Sequence, residues 1–263
     1  MQYTFGFIGC GNMGGALVKA VANTINAKQI ALCDQNADKA AALADGVGAV
    51  TADIRTLAQN CKFVVLGVKP QNMQTTVNEF KDVLAENCVL ITMAAGVTIA
   101  KLRAYIGADL PVIRIMPNTP VQLGAGMILY DCDGVCPADE QAFLDAFSKA
   151  GVLDKLDEAL IDAAAGVSGC GPAFVYAFAQ SIVKGAVDLG VPKEKAELYA
   201  AQTVKGAADM LLAFKDAESL KRAVCSPGGT TLAGLAEMEK NNFSLAVESG
   251  VKGAYARTLE LQK

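Results

Sequence analysis

The sequence contains no histidine and no tryptophan, and only 19% of its 263 residues are charged. The absence of histidine excludes Ser-His-Asp and Cys-His hydrolases. It also excludes the histidine general base that many hydroxy-acid dehydrogenases use. Any proton transfer in this protein must therefore use a lysine, a hydroxyl, a thiol, a carboxylate, water or the substrate itself.

The sequence also lacks an excess of basic residues: its net charge is −4, and it holds no Lys/Arg-rich run. A protein that binds a phosphate backbone needs a basic surface, so no nucleic-acid partner is expected. The sequence has eight cysteines. Cys132 and Cys136 form one close pair, and the other six are scattered along the chain. Without histidine or a second close pair, the sequence predicts free thiols and no metal site.

The hydrophobic content of 52% is high for a soluble monomer and predicts a large subunit interface or a membrane contact. Residues 163–183 form the longest uncharged stretch, which is long enough to span a bilayer. Since glycines, Pro172 and polar residues interrupt it, we interpret it as a glycine-rich loop that enters a buried helix, and we expect no membrane partner. The chain enters a strand at once, without a basic or cleavable apolar segment, which predicts a cytoplasmic protein.

Apolar runs alternate with helical patterns in the first half of the chain, as in a doubly wound α/β sheet. Strands are predicted at residues 5–8, 30–33, 63–68, 89–93 and 112–116, with shorter ones at 127–130 and 152–156. Helices are predicted near residues 16–24, 38–43, 71–84, 99–105 and 137–149. This half is therefore expected to be an N-terminal Rossmann-type domain over residues 1–156.

Strand patterns stop after about Asp157, and the remaining chain predicts an all-helical C-terminal domain over residues 157–263. Its helices are expected to begin at Pro172, Lys193, Ala217, Thr231 and Phe243. Apolar residues occupy nearly the whole circumference of the helix at 172–189, so several neighbours must cover it. A helical domain of this size cannot supply them alone, and a homodimer formed through this domain is expected.

A glycine motif follows the first predicted strand: Gly9-x-Gly11-x-x-Gly14, with a helix opening directly after it. In this context Gly9 permits a tight turn, Gly11 allows a pyrophosphate to approach the backbone, and Gly14 lets the helix lie close to the strand. Asp34 ends the second strand about 20 residues later, where a dinucleotide ribose is expected. The motif therefore predicts a dinucleotide-binding site.

Three further strand ends carry residues suited to the same site, because ligands collect at the carboxyl ends of such strands. Small residues at Ala94 and Ala95 would allow a flat nicotinamide ring to lie on the backbone, and Asn118 would bond its carboxamide or a ribose. Lys69 is expected to contact the cofactor. The alternative for each loop alone is that Pro and Gly merely end the strand.

Two loops of the helical half have the composition of ligand sites. Residues 167–172 place consecutive small residues before a helix, which permits close backbone approach to a ligand. Residues 226–231, Ser-Pro-Gly-Gly-Thr-Thr, combine hydroxyls with the N–H groups and positive dipole end of a helix. Such a loop suits a small carboxylate, although an ordinary N-cap turn would also explain its threonines.

These motifs, taken in order along the whole chain, resemble pyrroline-5-carboxylate reductases. The segments that carry the resemblance are Gly-Cys-Gly-Asn-Met-Gly at 9–14, Val-Lys-Pro at 68–70, Ala-Ala-Gly-Val at 94–97, Met-Pro-Asn-Thr-Pro at 116–120, Val-Ser-Gly-Cys-Gly-Pro at 167–172 and Cys-Ser-Pro-Gly-Gly-Thr-Thr at 225–231. The resemblance implies reduction of 1-pyrroline-5-carboxylate to L-proline with NADPH or NADH. It also implies a dimer that interleaves through the helical domain, in some members within a larger ring of dimers.

The resemblance assigns roles to particular residues of this chain. Ser226 and the amides of Gly229 and Thr230 would hold the substrate carboxylate, and the catalytic Thr231 hydroxyl would meet the ring nitrogen. The cofactor residues expected from the motif and the resemblance together are Ile8, Gly9, Cys10, Gly11, Asn12, Met13, Gly14, Asp34, Asn36, Val68, Lys69, Pro70, Ala94, Ala95 and Asn118.

Two points stay open from the sequence. Asp34 favours the ribose 2′-hydroxyl of NAD and repels a 2′-phosphate, whereas the resemblance favours NADP, with Gln35 and Asn36 near the phosphate. The alternative functions are another imine or β-hydroxyacid reductase and a non-catalytic dinucleotide-binding regulator. Lys184 lies more than three turns along the helix from Pro172, which is too far for the lysine that such hydroxyacid enzymes use.

Overall fold

The structure is a computed structural model that describes residues 2–262. Its strands are β1 Tyr3–Ile8, β2 Ile30–Cys33, β3 Val50–Thr51, β4 Cys61–Leu66, β5 Val89–Thr92, β6 Val112–Pro117, β7 Gly126–Asp133 and β8 Gly151–Lys155. Its helices are α1 Asn12–Ala22, α2 Ala37–Val47, α3 Ile54–Asn60, α4 Met73–Asn78, α5 Ile99–Ile106, α6 Pro137–Phe147, α7 Glu158–Ser168, α8 Gly171–Asp188, α9 Lys193–Phe214, α10 Ala217–Ala223, α11 Thr230–Lys240 and α12 Phe243–Gln262.

The strands form one sheet in the order β3-β2-β1-β4-β5-β6-β7-β8. The first six are parallel, β7 runs antiparallel to β6, and β8 is parallel to β7. The order 3-2-1-4-5-6 is that of a dinucleotide-binding doubly wound sheet, whose order reverses between β1 and β4. The predicted fold class is confirmed, and two added strands, β7 and β8, extend the sheet beyond β6 and run antiparallel to the first six.

Two apolar clusters cover the two faces of the sheet, as a doubly wound fold requires. On one face, α1, α2 and α6 pack on a core in which the rings of Phe5 and Phe63 stack with centroids 4.7 Å apart. On the other face, α3, α4 and α5 supply residues such as Leu57, Val77 and Leu102. Fully apolar strands between two helix layers explain why the strands read as continuous hydrophobic runs.

Three local predictions were wrong or incomplete. The single helix expected at 71–84 is a short α4 between two 3₁₀ turns, because the chain turns after α4 to bury Phe80. Arg55 fixes this turn by donating to the Glu79 carbonyl and to the Asp82 carboxylate. Two elements were not predicted: β3, which has two residues, and α3, which Asp53 caps by accepting from the Arg55 and Thr56 N–H groups.

The third correction concerns residues 167–172, which were expected to be a loop. Val167 and Ser168 belong to α7, and only Gly169 and Cys170 separate α7 from α8. Helix α7 was not predicted, although Asp157 is a typical N-cap and accepts a hydrogen bond from the Ala159 N–H. Ile161 and Ala165 lie one turn apart on α7 and pack against Met116 and Leu129 of the sheet.

The chain divides into two compact units, residues 1–170 with 254–263, and residues 171–253. In the second unit α8 packs along α9, and the rings of Phe178 and Phe243 lie 6.1 Å apart. Over its described residues α8 has no buried position, and Tyr176 is 58% exposed. The single chain therefore leaves the apolar helix uncovered, as expected of a chain that needs a partner to bury it.

By length and composition, residues Glu158–Asp188 also pass as a membrane-crossing helix, with 22% of the apolar window buried. The break between α7 and α8 at Gly169 and Cys170 interrupts this stretch, and α7 packs on the sheet. A single apolar stretch of this kind is a weak argument for a membrane protein.

Candidate active site

The turn after β1 lies where the strand order reverses, and glycine backbones line it on both sides. Gly9 has φ +100°, a conformation that L side chains rarely adopt. Its N–H donates to the Cys33 carbonyl (2.8 Å), while the Gly67 N–H donates to the Ile8 carbonyl (2.8 Å). A Cβ on Gly9 would lie 2.6 Å from the Gly67 oxygen, so neither position tolerates a side chain.

Gly67 is a site residue that the sequence analysis missed. It directly follows β4, and a Cβ on it would lie 2.7 Å from the Gly9 carbonyl oxygen. The two glycines therefore let the ends of β1 and β4 lie in close backbone contact. We call the space beside these two strand ends, where the strand order reverses, the glycine crevice. A glycine directly after a buried apolar strand was the available sequence signal.

The roles predicted for the other two motif glycines agree with their surroundings. A Cβ on Gly14 would collide with the Gly9 carbonyl oxygen, so only glycine lets α1 approach the turn this closely. By contrast, among residues 2–262 nothing lies within 4 Å of a Cβ placed on Gly11, which is the N-cap of α1. The described chain supplies no side-chain cap there either, so the first N–H groups of α1 are available to an anion. This open cradle fits a pyrophosphate.

Asp34 turns back toward the glycine turn. Its Oδ2 accepts a hydrogen bond from the Cys10 N–H (2.6 Å), and its Oδ1 accepts from the Asn36 N–H (2.9 Å). The carboxylate is thus fixed beside the turn at the end of β2, where a ribose of a dinucleotide is expected. Asn36 caps α2 by accepting from the Lys39 N–H, which occupies its side-chain oxygen.

The Cys10 side chain has no chemical role that its environment supports. Burial, with the nearby Asp34 and Cys33, raises the pKa of the Cys10 thiol to about 12. Burial likewise raises the pKa values of Cys61 and Cys88 to about 12. These thiols are protonated at neutral pH and are not nucleophiles. All eight cysteines are free, as predicted.

The other predicted cofactor residues follow β4, β5 and β6 at the same edge of the sheet. Lys69 is exposed before a 3₁₀ turn that starts at Pro70, and Val68 is half-buried. Ala94 is buried and Ala95 half-buried, in a turn closed by the Val97 N–H on the Ala94 carbonyl (3.2 Å). Parallel strands end at one edge, so the structure brings these residues to the edge that holds the glycine turn.

Asn118 differs from the other predicted cofactor residues because its side chain is used within the protein. Its Nδ2 donates to the Ser168 carbonyl (2.9 Å), and its Oδ1 accepts from the Met127 N–H (2.9 Å). Asn118 is 9% exposed. A direct cofactor contact by Asn118 stays a prediction, and it would have to share these bonds.

A buried cluster of charged side chains joins β6 to α7 and was not predicted from the sequence. Arg114 of β6 is 1% exposed and donates to Asp162 (2.6 Å) and Glu158 (3.3 Å) of α7. Glu158 also accepts from the Ile99 N–H at the start of α5 (2.7 Å). Among residues 2–262 the Arg114 Nε has no hydrogen-bond partner. The cluster fixes α7 on the sheet.

The predicted substrate loop forms the N-terminus of α11, which begins at Thr230, one residue before the predicted start. Gly228 has φ +71°, and the Gly229 N–H donates to the Ser226 carbonyl (2.9 Å). Gly229 is the N-cap, and within the described chain no side chain caps this helix. Ser226, Thr230 and Thr231 are exposed in the single chain, so the hydroxyls and N–H groups are available to a carboxylate.

The sheet order and the glycine-lined crevice define a dinucleotide-binding α/β protein with a helical second part. The pyrroline-5-carboxylate reductase of Escherichia coli (strain K12) is 34% identical to this chain over 268 residues, covering 100% of each. The chain belongs to the pyrroline-5-carboxylate reductase family.

Further similarities agree with this assignment. Residues 158–261 match the family described as pyrroline-5-carboxylate reductase dimerisation, and residues 4–96 match NADP oxidoreductase coenzyme F420-dependent. The solved structure of a pyrroline-5-carboxylate reductase from Coxiella burnetii has a TM-score of 0.90 and 31% identity over the full length of both chains. That of Plasmodium falciparum pyrroline carboxylate reductase with NADP bound has a TM-score of 0.89 and 30% identity, also over both full lengths. The predicted resemblance is confirmed.

Proposed function

We propose that this protein reduces 1-pyrroline-5-carboxylate to L-proline by hydride transfer from NAD(P)H, the last step of proline synthesis. Similarity to curated reductases over the whole chain is the observation that carries the proposal. The open cradle at Gly11 supports a dinucleotide cofactor, and the uncapped start of α11 supports an anionic substrate.

Bound NAD(P)H would supply the hydride that adds to the imine carbon. The cofactor residues we propose are those expected from the sequence except Asn118, whose amide is used within the protein, with Gly67 added for its backbone contact with Gly9. Within this set the first N–H groups of α1 would hold the pyrophosphate, and Asp34 would lie beside the ribose.

The substrate residues act mainly by positioning. We propose that Ser226 and the N–H groups of Gly229 and Thr230 hold the carboxylate, and that Thr231 donates its hydroxyl to the ring nitrogen. A cyclic imine is basic enough to carry its own proton, so the nitrogen accepts the electron pair of the C=N bond without a strong protein acid. This explains how the proposed reaction proceeds without a histidine as proton donor.

The proposed division of labour follows the predicted domains. Residues 1–156 bind the cofactor, and residues 157–263 carry the substrate loop and the dimer contacts. The match of residues 158–261 to a dimerisation family and the uncovered apolar face of α8 support a homodimer. A native mass of about twice 27.2 kDa is expected, or a multiple of it if dimers form a ring. A monomer at micromolar concentration would contradict the dimer.

We propose a cytoplasmic enzyme without nucleic-acid or membrane partners. The net charge of −4 and the absence of a Lys/Arg-rich run support the absence of a nucleic-acid partner. Fractionation of cells that express the chain at native level tests the cytoplasmic location, and recovery in the membrane pellet would contradict it.

Initial rates of reduced-nicotinamide oxidation with 1-pyrroline-5-carboxylate test the proposed function. Turnover with at least one coenzyme and formation of L-proline are expected. Tight coenzyme binding with no turnover would favour a non-catalytic regulator. Turnover of a β-hydroxyacid, with none of the imine, would favour the alternative reductase.

Asp34 is expected to select against NADPH, while family resemblance and the NADP-bound relative favour NADP. The Asp34→Ser variant should raise the ratio of kcat/KM for NADPH to kcat/KM for NADH by about tenfold or more, because it removes a fixed negative charge from the place of the 2′-phosphate. Steady-state rates with both coenzymes measure this ratio.

The matched control is Asp45→Ser, which removes an exposed charge near the other end of α2. It should leave the ratio within about twofold of the parent protein, since salt screens charges beyond roughly 10 Å. An unchanged ratio in Asp34→Ser would remove Asp34 from coenzyme selection.

A further inference from the structure

Asn118 joins three parts of the first unit through backbone groups. It directly follows β6, its Oδ1 accepts from the N–H of Met127 in β7, and its Nδ2 donates to the carbonyl of Ser168, the last residue of α7. Both partners are main-chain atoms, so the bonds fix the path of the chain rather than a side-chain rotamer. We call this set of bonds the Asn118 clamp.

The clamp satisfies a carbonyl that the helix itself leaves without a partner. The last four carbonyls of an α-helix lack intrahelical donors. The Gly169 and Cys170 N–H groups both bond the Ala165 carbonyl, and Asn118 supplies the donor for Ser168. A partly buried carbonyl that loses its donor costs desolvation energy, so the end of α7 is expected to shift without Asn118.

The position of the clamp gives it a functional consequence. Asn118 lies at the carboxyl end of β6, which runs parallel to β5, so it shares the edge on which the cofactor residues lie. On its other side the chain leaves α7 through Gly169 and Cys170 and continues into the segment that carries residues 226–231. Arg114 of β6 fixes the opposite end of α7 through Glu158, its first residue, and also pairs with Asp162 one turn further on.

From these contacts we infer that Asn118 is a positioning residue for hydride transfer rather than a cofactor ligand. It holds the end of α7, the helix after which the chain leaves the first unit, at the edge of the sheet where the nicotinamide is proposed to bind. This inference rests on the proposed function. The bond from Asn118 to the Ser168 carbonyl joins the segments at 116–120 and 167–172, and a cofactor contact by Asn118 does not require this bond.

The test is the Asn118→Asp variant, which keeps an acceptor for Met127 but has no donor for Ser168 when ionised. The kcat for 1-pyrroline-5-carboxylate at saturating coenzyme is expected to fall at least tenfold, while the NADPH Kd stays within about threefold. Because a protonated carboxyl can donate, the activity of the variant relative to the parent should recover as the pH is lowered. A defect in folding alone would not recover in this way.

A second variant and a control complete the design. Asn118→Ser, which is too short to reach both partners, should show the same loss of kcat without recovery at low pH. Gln122→Ala, in the exposed 3₁₀ turn that follows, should behave like the parent. An NADPH Kd raised tenfold or more with kcat retained would show a cofactor ligand and overturn the inference, as would full activity of both Asn118 variants.

If the parent protein does not reduce the imine, the proposed function fails, and amide exchange still tests the clamp. The Met127 N–H of Asn118→Ser should then exchange at least tenfold faster than in the parent, and equal exchange would contradict the clamp.

Discussion

Replacing Thr231 with alanine is expected to lower kcat/KM for 1-pyrroline-5-carboxylate by roughly tenfold to a thousandfold, as for other lost transition-state hydrogen-bond donors. The imine nitrogen gains an electron pair during hydride transfer, so a hydroxyl that donates to it is worth more in the transition state than in the ground state. Thr231 lies in the first turn of α11, whose N–H groups are proposed to fix the substrate carboxylate. Steady-state kinetics at saturating coenzyme measure the loss.

Thr231→Ser is the matched control for this variant. Serine keeps the hydroxyl and removes only a methyl group, so kcat/KM is expected to stay within a few-fold of the parent value. The loss in Thr231→Ala should fall mainly on kcat if the bond forms in the transition state. An unaltered rate in Thr231→Ala would remove Thr231 from the mechanism.

The Arg114→Met variant is expected to lose about 3–5 kcal/mol of folding stability, the usual result of breaking a buried ion pair on one side. Arg114 is 1% exposed, and its replacement removes the guanidinium group that donates to the buried Asp162 carboxylate. Methionine fills similar volume, so the loss comes from charge rather than from a cavity. Urea unfolding at a fixed protein concentration measures it, since dimer formation contributes to stability.

A double variant separates charge from packing. Arg114→Met combined with Asp162→Leu removes both members of the pair and should recover at least half of the lost stability, because well-packed apolar residues often replace buried ion pairs without cost. A single variant within about 1 kcal/mol of the parent would contradict the role assigned to the cluster.

The glycine crevice could be predicted because its requirements are local. A positive φ at Gly9 and the close approach of α1 at Gly14 depend on a few consecutive residues after a strand. The same holds for the parallel strands, whose apolar runs reflect burial on both faces, and for α11, where glycine and hydroxyl residues mark a helix start.

The features that were missed depend on distant partners. Arg114 interrupts an apolar strand and gains its meaning from Asp162, 48 residues later. From the sequence alone, Asn118 suits a cofactor ligand. Only its hydrogen bond to the Ser168 carbonyl, 50 residues away, shows that its side-chain amide is used within the protein. Helix α4 ends early because Arg55 and Phe80 hold the following turn, and no local pattern contains that contact. Gly67, by contrast, could have been predicted from the sequence, because it is a glycine directly after a buried apolar strand.

Reduction of 1-pyrroline-5-carboxylate with NADPH or NADH deuterated on the transferred side of nicotinamide C4 tests direct hydride transfer. Mass spectrometry of the product should show L-proline carrying one deuterium, on the ring carbon that was double-bonded to nitrogen. Coenzyme oxidation that yields unlabelled proline, or no proline, would contradict the account.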